Sequence, residues 1–120
     1  MTHSAISDDD REALRAFHEA VNMTAGEVER WLDTSESREV GWKFHEGDES
    51  VGHQSGRRIV ELLRAKQADY DADDFAQMRR VTGYVHRHMA QRPDKSDDEL
   101  AHTRWRYSLM NWGHDPLKAR

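Results

Sequence analysis

The longest stretch of regularly spaced apolar residues lies at residues 73–92 and predicts an amphipathic α-helix. Its apolar side chains recur every three or four residues, the spacing that collects them on one helix face: Phe75, Met78, Val81, Val85 and Met89. The residues between them are mostly polar or positively charged. The pattern therefore predicts a central helix with an apolar face toward the core and a cationic outer face.

Two helices are predicted before it. Ser7 precedes the acidic run at residues 8–10, and a hydroxyl cap followed by carboxylates favours the start of a helix. Thr24 and Glu27 have the spacing of a capping box, in which each side chain accepts a hydrogen bond from the other residue's backbone N–H. We therefore predict one helix that begins after Ser7 and a second that extends from residue 25 to about residue 32.

Two further helices are predicted at residues 55–66 and 103–112, which also show helical spacing of apolar residues. Pro93 ends the central helix, and a polar connector at residues 94–99 follows it. Gly83 lies in the middle of the central helix, where glycine costs about 1 kcal/mol relative to alanine. We therefore expect a neighbouring element to pack closely against Gly83.

Residues 33–54 contain several glycines and no helical spacing, and they predict a long irregular loop. Val40, Trp42 and Phe44 occupy alternate positions, a pattern that permits at most a marginal hairpin. The glycines match neither the GxxxxGK[ST] phosphate loop nor the GxGxxG dinucleotide motif. We predict no nucleotide-binding fold, and no role is assigned to Trp42 and Phe44.

Together these elements predict an all-α fold, a single small domain of about five helices with the long glycine-containing loop at residues 33–54. The helical domain is expected at residues 7–116, between a disordered N-terminal tail at residues 1–6 and a frayed C-terminal tail at residues 117–120. A chain of 120 residues has room for one core. Its low hydrophobic content of 36% and its four tryptophans predict a small, partly aromatic core.

The composition excludes several classes of site and location. The chain has no Cys, which removes disulfides, thiolate zinc sites and cysteine nucleophiles. No apolar run approaches the ~20 residues of a membrane span. The first ten residues lack the cationic start and the apolar stretch of a signal peptide. We expect a cytoplasmic protein with no membrane partner.

The histidines and serines do not form a recognisable catalytic or metal-binding pattern. His86 and His88 are two residues apart on a predicted helix, so their side chains point in different directions and cannot hold one ion. The other histidines lack HxxxH or HExxH spacing, and no Ser lies in a GxSxG motif. We predict no metal, no cofactor and no catalytic residue, and therefore a protein that is not an enzyme.

Charge is distributed unevenly along the chain, although the net charge is −5. Residues 1–50 carry 5 Lys or Arg against 13 Asp or Glu, whereas residues 51–106 carry 11 against 9. Residues 75–92 contain no acidic residue at all. This distribution is compatible with an ordinary mixed surface and equally with a polar molecule that has one basic side.

Seven arginines are the candidate nucleic-acid contacts: Arg57, Arg58, Arg79, Arg80, Arg87, Arg104 and Arg106. Arg57 and Arg58 lie near the predicted start of the third helix, where free backbone N–H groups favour an anion. Arg80 and Arg87 are seven residues apart and share one helix face. In the alternative interpretation, Arg57 and Arg58 form local ion pairs with Glu61 and with the acidic N-terminal half.

These residues predict a non-enzymatic DNA-binding protein that contacts the phosphate backbone through a basic helix face, with weak sequence preference. The alternative is a protein-interaction or stress-associated module whose basic face binds an acidic protein or another copy of the same chain. Tyr84, Trp105 and Tyr107 lie beside arginines and are candidates for stacking on bases. For Trp105 and Trp112 we favour a place in the core.

Four blocks carry a resemblance to a known family: NMTAGEVERWLDTSES, ESVGHQSGRRIVELLR, MRRVTGYVHRHMAQRP and TRWRYSLMNWGHDPLK. In this order they resemble the uncharacterised family known as domain of unknown function 3140, over nearly the whole chain from about Phe17 to Lys118. Some members of that family are labelled DNA-binding proteins, so the resemblance implies such a function. It implies no particular catalytic or binding residue.

Overall fold

The computed structural model describes residues 6–118, which form helices and contain no strand. The predicted all-α fold is confirmed. Between residues 6 and 118, seven α-helices and one 3₁₀ turn follow in this order: α1 (Asp8–Ala20), α2 (Ala25–Leu32), α3 (Ser35–Glu39), α4 (Val51–Arg64), the 3₁₀ turn (Gln67–Asp69), α5 (Ala72–Met89), α6 (Asp97–Leu100) and α7 (Arg104–Asn111).

Side-chain caps determine where these helices begin. Ser7 Oγ accepts a hydrogen bond of 3.1 Å from the backbone N–H of Asp10 and caps α1. Thr24 and Glu27 form the predicted capping box of α2, and Asp71 begins α5 with another. Each cap satisfies backbone donors that the first helical turn leaves without a partner. The starts predicted for the first two helices are therefore confirmed.

The helices pack as two pairs that α7 joins. α1 lies against α5, α2 lies against α4, and α7 contacts α2, α3, α4 and α5. Periodicity alone predicts α5 as the central helix. In the structure the backbones of α5 and α4 are not closely packed, and side chains connect the two helices, as in the 2.9 Å hydrogen bond from Gln77 Nε2 to Ser55 Oγ. The position of α7 between the pairs depends on tertiary contacts that no single helix pattern specifies.

One large core cluster occupies the space between α1, α4, α5 and α7. Its principal buried members are Leu14, Phe17, Ile59, Leu62, Phe75, Met78, Val81, Val85, Leu109 and Trp112. A smaller cluster beneath α2 contains Met23, Val28, Leu32 and Val60. Burial of one such side chain contributes about 1.5–3 kcal/mol relative to leaving it exposed. The apolar face predicted for α5 is thus buried, with Met89 at its partly exposed edge.

Close packing of α4 depends on a glycine. A Cβ atom at Gly56 would stand 2.7 Å from the backbone oxygen of Asn111 and 2.7 Å from Leu32 Cδ2, so α4 can approach α2 and α7 this closely only without a side chain there. At Gly83 the nearest atom to such a Cβ is a guanidinium nitrogen of Arg87 at 3.1 Å, which belongs to the same helix. Among the described residues, no neighbouring element packs closely against Gly83, so that prediction is wrong.

Part of the segment predicted as a loop is helical. Within residues 33–54, α3 occupies the first part, and α4 begins at Val51, four residues before its predicted start. The irregular part is therefore limited to residues 40–50. Ser50 Oγ accepts a 3.1 Å hydrogen bond from the backbone N–H of His53 and thereby fixes the start of α4. The polar connector after α5 also contains one short helix, α6.

Both ends of the described chain contact the domain. The first five residues of the predicted N-terminal tail lie outside the described part, while Ile6 packs against the large core cluster. Lys118 Nζ donates a 2.6 Å hydrogen bond to Glu27, so this residue of the predicted frayed tail at residues 117–120 is anchored. The last two residues of that tail lie outside the described part.

Candidate functional site

Three of the seven predicted arginines line one cleft between α4 and α5. Arg57 and Arg58 extend from α4 and Arg80 from α5, around a volume of about 400 Å³. Glu61 is the carboxylate on the same lining, and Trp112 lies at one side. We call this feature the arginine cleft. It brings together guanidinium groups that the sequence places on separate helices.

Arg80 is held in the arginine cleft by a short chain of hydrogen bonds. Its guanidinium donates to Oε1 of Gln77, one turn earlier on α5, and Gln77 Nε2 donates to Ser55 Oγ of α4 at 2.9 Å. Gln77 is only 6% exposed, so the chain connects the exposed guanidinium to the interior. Within residues 6–118, Arg80 forms no ion pair with a carboxylate. Its positive charge is therefore not neutralised by direct contact with an acidic side chain of the described part.

Arg57 and Arg58 each have a carboxylate partner. Arg57 donates two hydrogen bonds to Glu49, at 2.8 and 2.5 Å, and Arg58 donates one of 2.9 Å to Asp74. Burial raises the pKa of Glu49, but hydrogen bonds, chiefly from Arg57, leave it below its ordinary value. The hydrogen bond from Arg58 lowers the pKa of Asp74. Both partners are therefore ionised at neutral pH. Glu49 belongs to the acidic N-terminal half named in the ion-pair interpretation, whereas the partner of Arg58 is Asp74 rather than Glu61.

Neither Arg57 nor Arg58 lies at the start of a helix. α4 begins at Val51 with Ser50 as its cap, so the two arginines are its seventh and eighth residues, where backbone N–H groups donate within the helix. The predicted contribution of free backbone N–H groups to an anion site at these residues is therefore wrong. At Arg57 and Arg58, attraction for an anion comes from the side chains.

The other arginines of α5 do not line the arginine cleft. Arg79 donates a 2.8 Å hydrogen bond to Asp10 and lines a different cleft, between α1 and α5. Arg87 is exposed, and its guanidinium lies beside Gly83. No ion pair joins Arg87 to another residue of the described part. The two adjacent arginines at positions 79 and 80 thus face different surroundings.

Arg106 has a structural role at the C-terminal end of the fold. It donates to both carboxylate oxygens of Asp115, at 3.1 and 3.0 Å, and to the backbone oxygen of Ala101 at 3.0 Å. Burial raises the pKa of Asp115, but the hydrogen bonds and the charge of Arg106 lower it below its ordinary value. We therefore leave Arg106 out of the candidate surface. Arg104 is exposed and lies outside the arginine cleft.

The aromatic side chains beside Arg104 and Arg106 contribute to the fold. Trp105 Nε1 donates a 2.8 Å hydrogen bond to the backbone oxygen of His88. The ring of Tyr107 packs against Trp31 with a centroid distance of 5.4 Å. Both rings are therefore engaged in contacts within the domain and are not free to stack on bases.

A second cleft adjoins the first and has aromatic walls. It has a volume of about 380 Å³, shares Val51 and Trp112 with the arginine cleft, and is also lined by Trp42, Tyr84 and His88. We call it the aromatic cleft. From the sequence alone, Trp42 has no assigned role and Trp112 is expected in the core, because nothing in the linear sequence indicates that the two rings converge. An exposed tryptophan in a polar, glycine-containing loop is the only signal that the sequence offers.

No group of three or more His, Asp or Glu side chains between residues 6 and 118 is placed to hold a metal ion. No helix in that part of the chain is long and apolar enough to cross a membrane.

The fold and the candidate site together define a small all-helical domain with a cationic cleft beside an aromatic one. A family described as a protein of unknown function, DUF3140, matches residues 16–110. The chain belongs to this family, so the resemblance noted in the sequence is confirmed. Comparison with curated proteins and with solved structures gave no significant match.

Proposed function

We propose that this protein binds nucleic acid through phosphate contacts in the arginine cleft, and that its role is binding rather than catalysis. The observation that carries the proposal is the convergence of Arg57, Arg58 and Arg80 on one cleft, where Arg80 has no carboxylate partner among the described residues. Guanidinium groups bind phosphate oxygens through charge-assisted hydrogen bonds. The label carried by some members of the family agrees with this function.

The carboxylate partners of Arg57 and Arg58 do not prevent phosphate binding. Arg57 is 65% exposed and Arg58 is 39% exposed, and ion pairs at such positions contribute little to stability, typically about 0–1 kcal/mol. A phosphate can therefore displace these carboxylates, or share the arginines with them, at a small cost in free energy. Phosphate contacts fix the position of a strand but carry no base information, so the proposal includes weak sequence preference.

Three carboxylates lie at the arginine cleft: Glu61 on its lining, and Glu49 and Asp74 as the ion-pair partners of Arg57 and Arg58. α1 begins with three aspartates and packs against α5 on the side that Arg79 faces. Glu61 is the one acidic residue among those that line the arginine cleft, against three arginines. Arg80 is thus the arginine of the cleft whose charge no carboxylate of the described part offsets, and with a net charge of −5 we expect moderate affinity that depends on salt.

The competing function is binding of an acidic protein, or of a second copy of this chain, through the same arginines. Acidic side chains and phosphates are both anions, so the arginine cleft is compatible with each. An acidic peptide offers carboxylates on flexible side chains, whereas a nucleic acid offers a regular row of phosphates. The two functions therefore differ in whether an oligonucleotide alone binds and in how many counterions it releases.

The test is fluorescence anisotropy of a labelled DNA oligonucleotide at two salt concentrations, with three charge variants. For wild type we expect a log–log salt slope of roughly −2 to −3, which corresponds to three phosphate contacts. Arg80→Glu should weaken binding about tenfold or more and reduce that slope by roughly one unit. Arg79→Glu is the matched control, because the same charge change on the adjacent residue faces α1 instead. Glu61→Gln should strengthen binding, since it removes the carboxylate from the lining of the cleft.

The outcomes separate the two functions. If wild type shows no salt-dependent binding at low ionic strength, the proposal is wrong, and an acidic protein becomes the candidate ligand. If Arg79→Glu and Arg80→Glu weaken binding equally, general charge rather than the arginine cleft is responsible. Opposite effects of Arg80→Glu and Glu61→Gln, with little effect of Arg79→Glu, support the proposal.

A further inference from the structure

The aromatic cleft indicates which kind of nucleic acid the protein binds, an inference that rests on the proposed function. It adjoins the arginine cleft through the shared residues Val51 and Trp112. A ligand whose phosphate lies against the arginines can therefore extend into a space with aromatic walls. The volume of about 380 Å³ lies within the range of ordinary small-molecule sites, about 300–1,000 Å³.

Three rings of the aromatic cleft form a parallel stack. The rings of Trp112 and Tyr84 are 4.1 Å apart with an interplanar angle of 12°, and those of Tyr84 and His88 are 3.9 Å apart at 14°. Burial lowers the pKa of His88, so its imidazole is neutral at physiological pH. The stack covers both faces of Tyr84, and Trp112 is only 5% exposed, so these rings form an uncharged wall of the cleft rather than an open stacking surface.

Trp42 adds an exposed aromatic surface to the lining. Its side chain is 62% exposed. Phe44, which is 69% exposed, packs edge to face against it, with ring centroids 4.3 Å apart. The backbone N–H of Val51 donates a 2.8 Å hydrogen bond to the backbone oxygen of Trp42, which ties this loop to the first residue of α4. Large apolar side chains grouped on a surface commonly mark a binding site.

We propose that the aromatic cleft accepts an unpaired nucleobase, so that the protein binds single-stranded nucleic acid in preference to duplex. A base of a single strand can leave its neighbours and stack on an aromatic side chain, while its phosphate remains within reach of the arginines. In a duplex, both faces of each base are covered by the adjacent base pairs. Every base has a π-face, so stacking of this kind adds affinity with little sequence preference, as the phosphate contacts do.

The substitution that isolates the aromatic contribution is Trp42→Ala. Trp42 is largely exposed, so its replacement should leave the thermal unfolding transition unchanged. We expect the affinity for single-stranded oligonucleotide to fall about tenfold and the affinity for duplex of the same length to stay the same. Trp42→Phe is the matched control, because it keeps an aromatic ring and should retain most of the affinity.

The readout combines anisotropy with tryptophan fluorescence. Stacking of a base on Trp42 should quench part of the tryptophan emission of wild type, and this component should be missing from Trp42→Phe although that variant still binds. Parallel titrations with single-stranded DNA and single-stranded RNA show which backbone is preferred. Either preference supports the inference, since the stacking surface is common to both.

Three results distinguish this inference from the proposed function. If single strand binds better than duplex and Trp42→Ala removes the difference, both stand. If single strand and duplex bind equally, with an effect of Arg80→Glu but none of Trp42→Ala, the arginine cleft stands and the base-binding role is wrong. If no oligonucleotide binds, or if Trp42→Ala changes only self-association measured by sedimentation, base binding is refuted.

Discussion

Asn111 is the buried polar residue that connects three helices. It is fully buried, and its Oδ1 accepts hydrogen bonds from Trp31 Nε1 at 2.7 Å and from Ser37 Oγ at 2.5 Å. Its Nδ2 donates a 3.1 Å hydrogen bond to the backbone oxygen of Ser37. The side chain therefore joins α7 to α2 and α3. Because Ser37 is also fully buried, no solvent can replace these bonds.

We expect Asn111→Ala to lower the free energy of unfolding by about 2–4 kcal/mol, because it leaves buried donors and an acceptor without partners. Urea denaturation followed by circular dichroism measures this loss. Ser108→Ala is a control on the same helix, at a partly buried residue. Equal stability of wild type and Asn111→Ala would contradict the role given to this side chain.

Glu27 couples stability to pH. A hydrogen bond from Lys118, supported by the backbone of Thr24, lowers its pKa from an ordinary value of 4.5 to about 2. A carboxylate whose pKa is depressed by folding stabilises the native state above its unfolded pKa and loses that contribution as the pH falls through the folded value. The contribution of Glu27 should therefore be complete at neutral pH and disappear between about pH 4.5 and pH 2.

Glu27→Gln removes this pH-dependent contribution to stability. The variant should unfold at a lower temperature than wild type at pH 7, and the difference should shrink as the pH is lowered toward 2. Thermal unfolding at several pH values measures the difference. Glu46→Gln, at an exposed loop position, provides a charge-matched control. A difference that is independent of pH would show that the Glu27 carboxylate is not responsible.

At the scale of elements, two helical glycines have opposite roles. Gly56→Ala would place a methyl group 2.7 Å from the backbone oxygen of Asn111, which cannot move without shifting α7. We expect a loss of about 1–3 kcal/mol. Gly83→Ala meets only the flexible side chain of Arg87 and should gain about 0.5–1 kcal/mol, the ordinary helix preference for alanine. Denaturant unfolding of the two variants should therefore shift in opposite directions, and shifts of the same sign would contradict the packing described for α4.

Helix periodicity and capping predict most of the elements but not all of them. α1, α2 and α5 combine a clear cap with an apolar face, and their positions follow from the sequence. α3 has five residues, of which Ser37 alone is buried, so it has a cap at Thr34 but no apolar face. The hydrogen bonds between Ser37 and Asn111 hold it against α7. α4 begins four residues before its predicted start because Ser50 caps it and Gly52, a residue type common in loops, lies in its first turn.

At the scale of the whole molecule, the arrangement of helices decides which charges meet. The sequence identifies the arginines individually, but their partners depend on tertiary structure: Arg79 pairs with Asp10 on α1, Arg106 pairs with Asp115, and Arg80 lines the arginine cleft. The position of α7 brings Trp112 next to Tyr84 and so creates the wall shared by the two clefts. These juxtapositions come from residues far apart in the chain, and periodicity carries no information about them.

Binding of nucleic acid at the arginine cleft can be followed residue by residue in solution. The most direct measurement is a titration of ¹⁵N-labelled protein with a short single-stranded oligonucleotide, followed by NMR chemical shifts. We predict that the largest saturable shifts occur at the Arg80 guanidinium, at the Trp42 indole N–H and in the α4 turn that contains Arg57 and Arg58. Shifts concentrated on α1 and Arg79, or the absence of saturable shifts, would contradict the account.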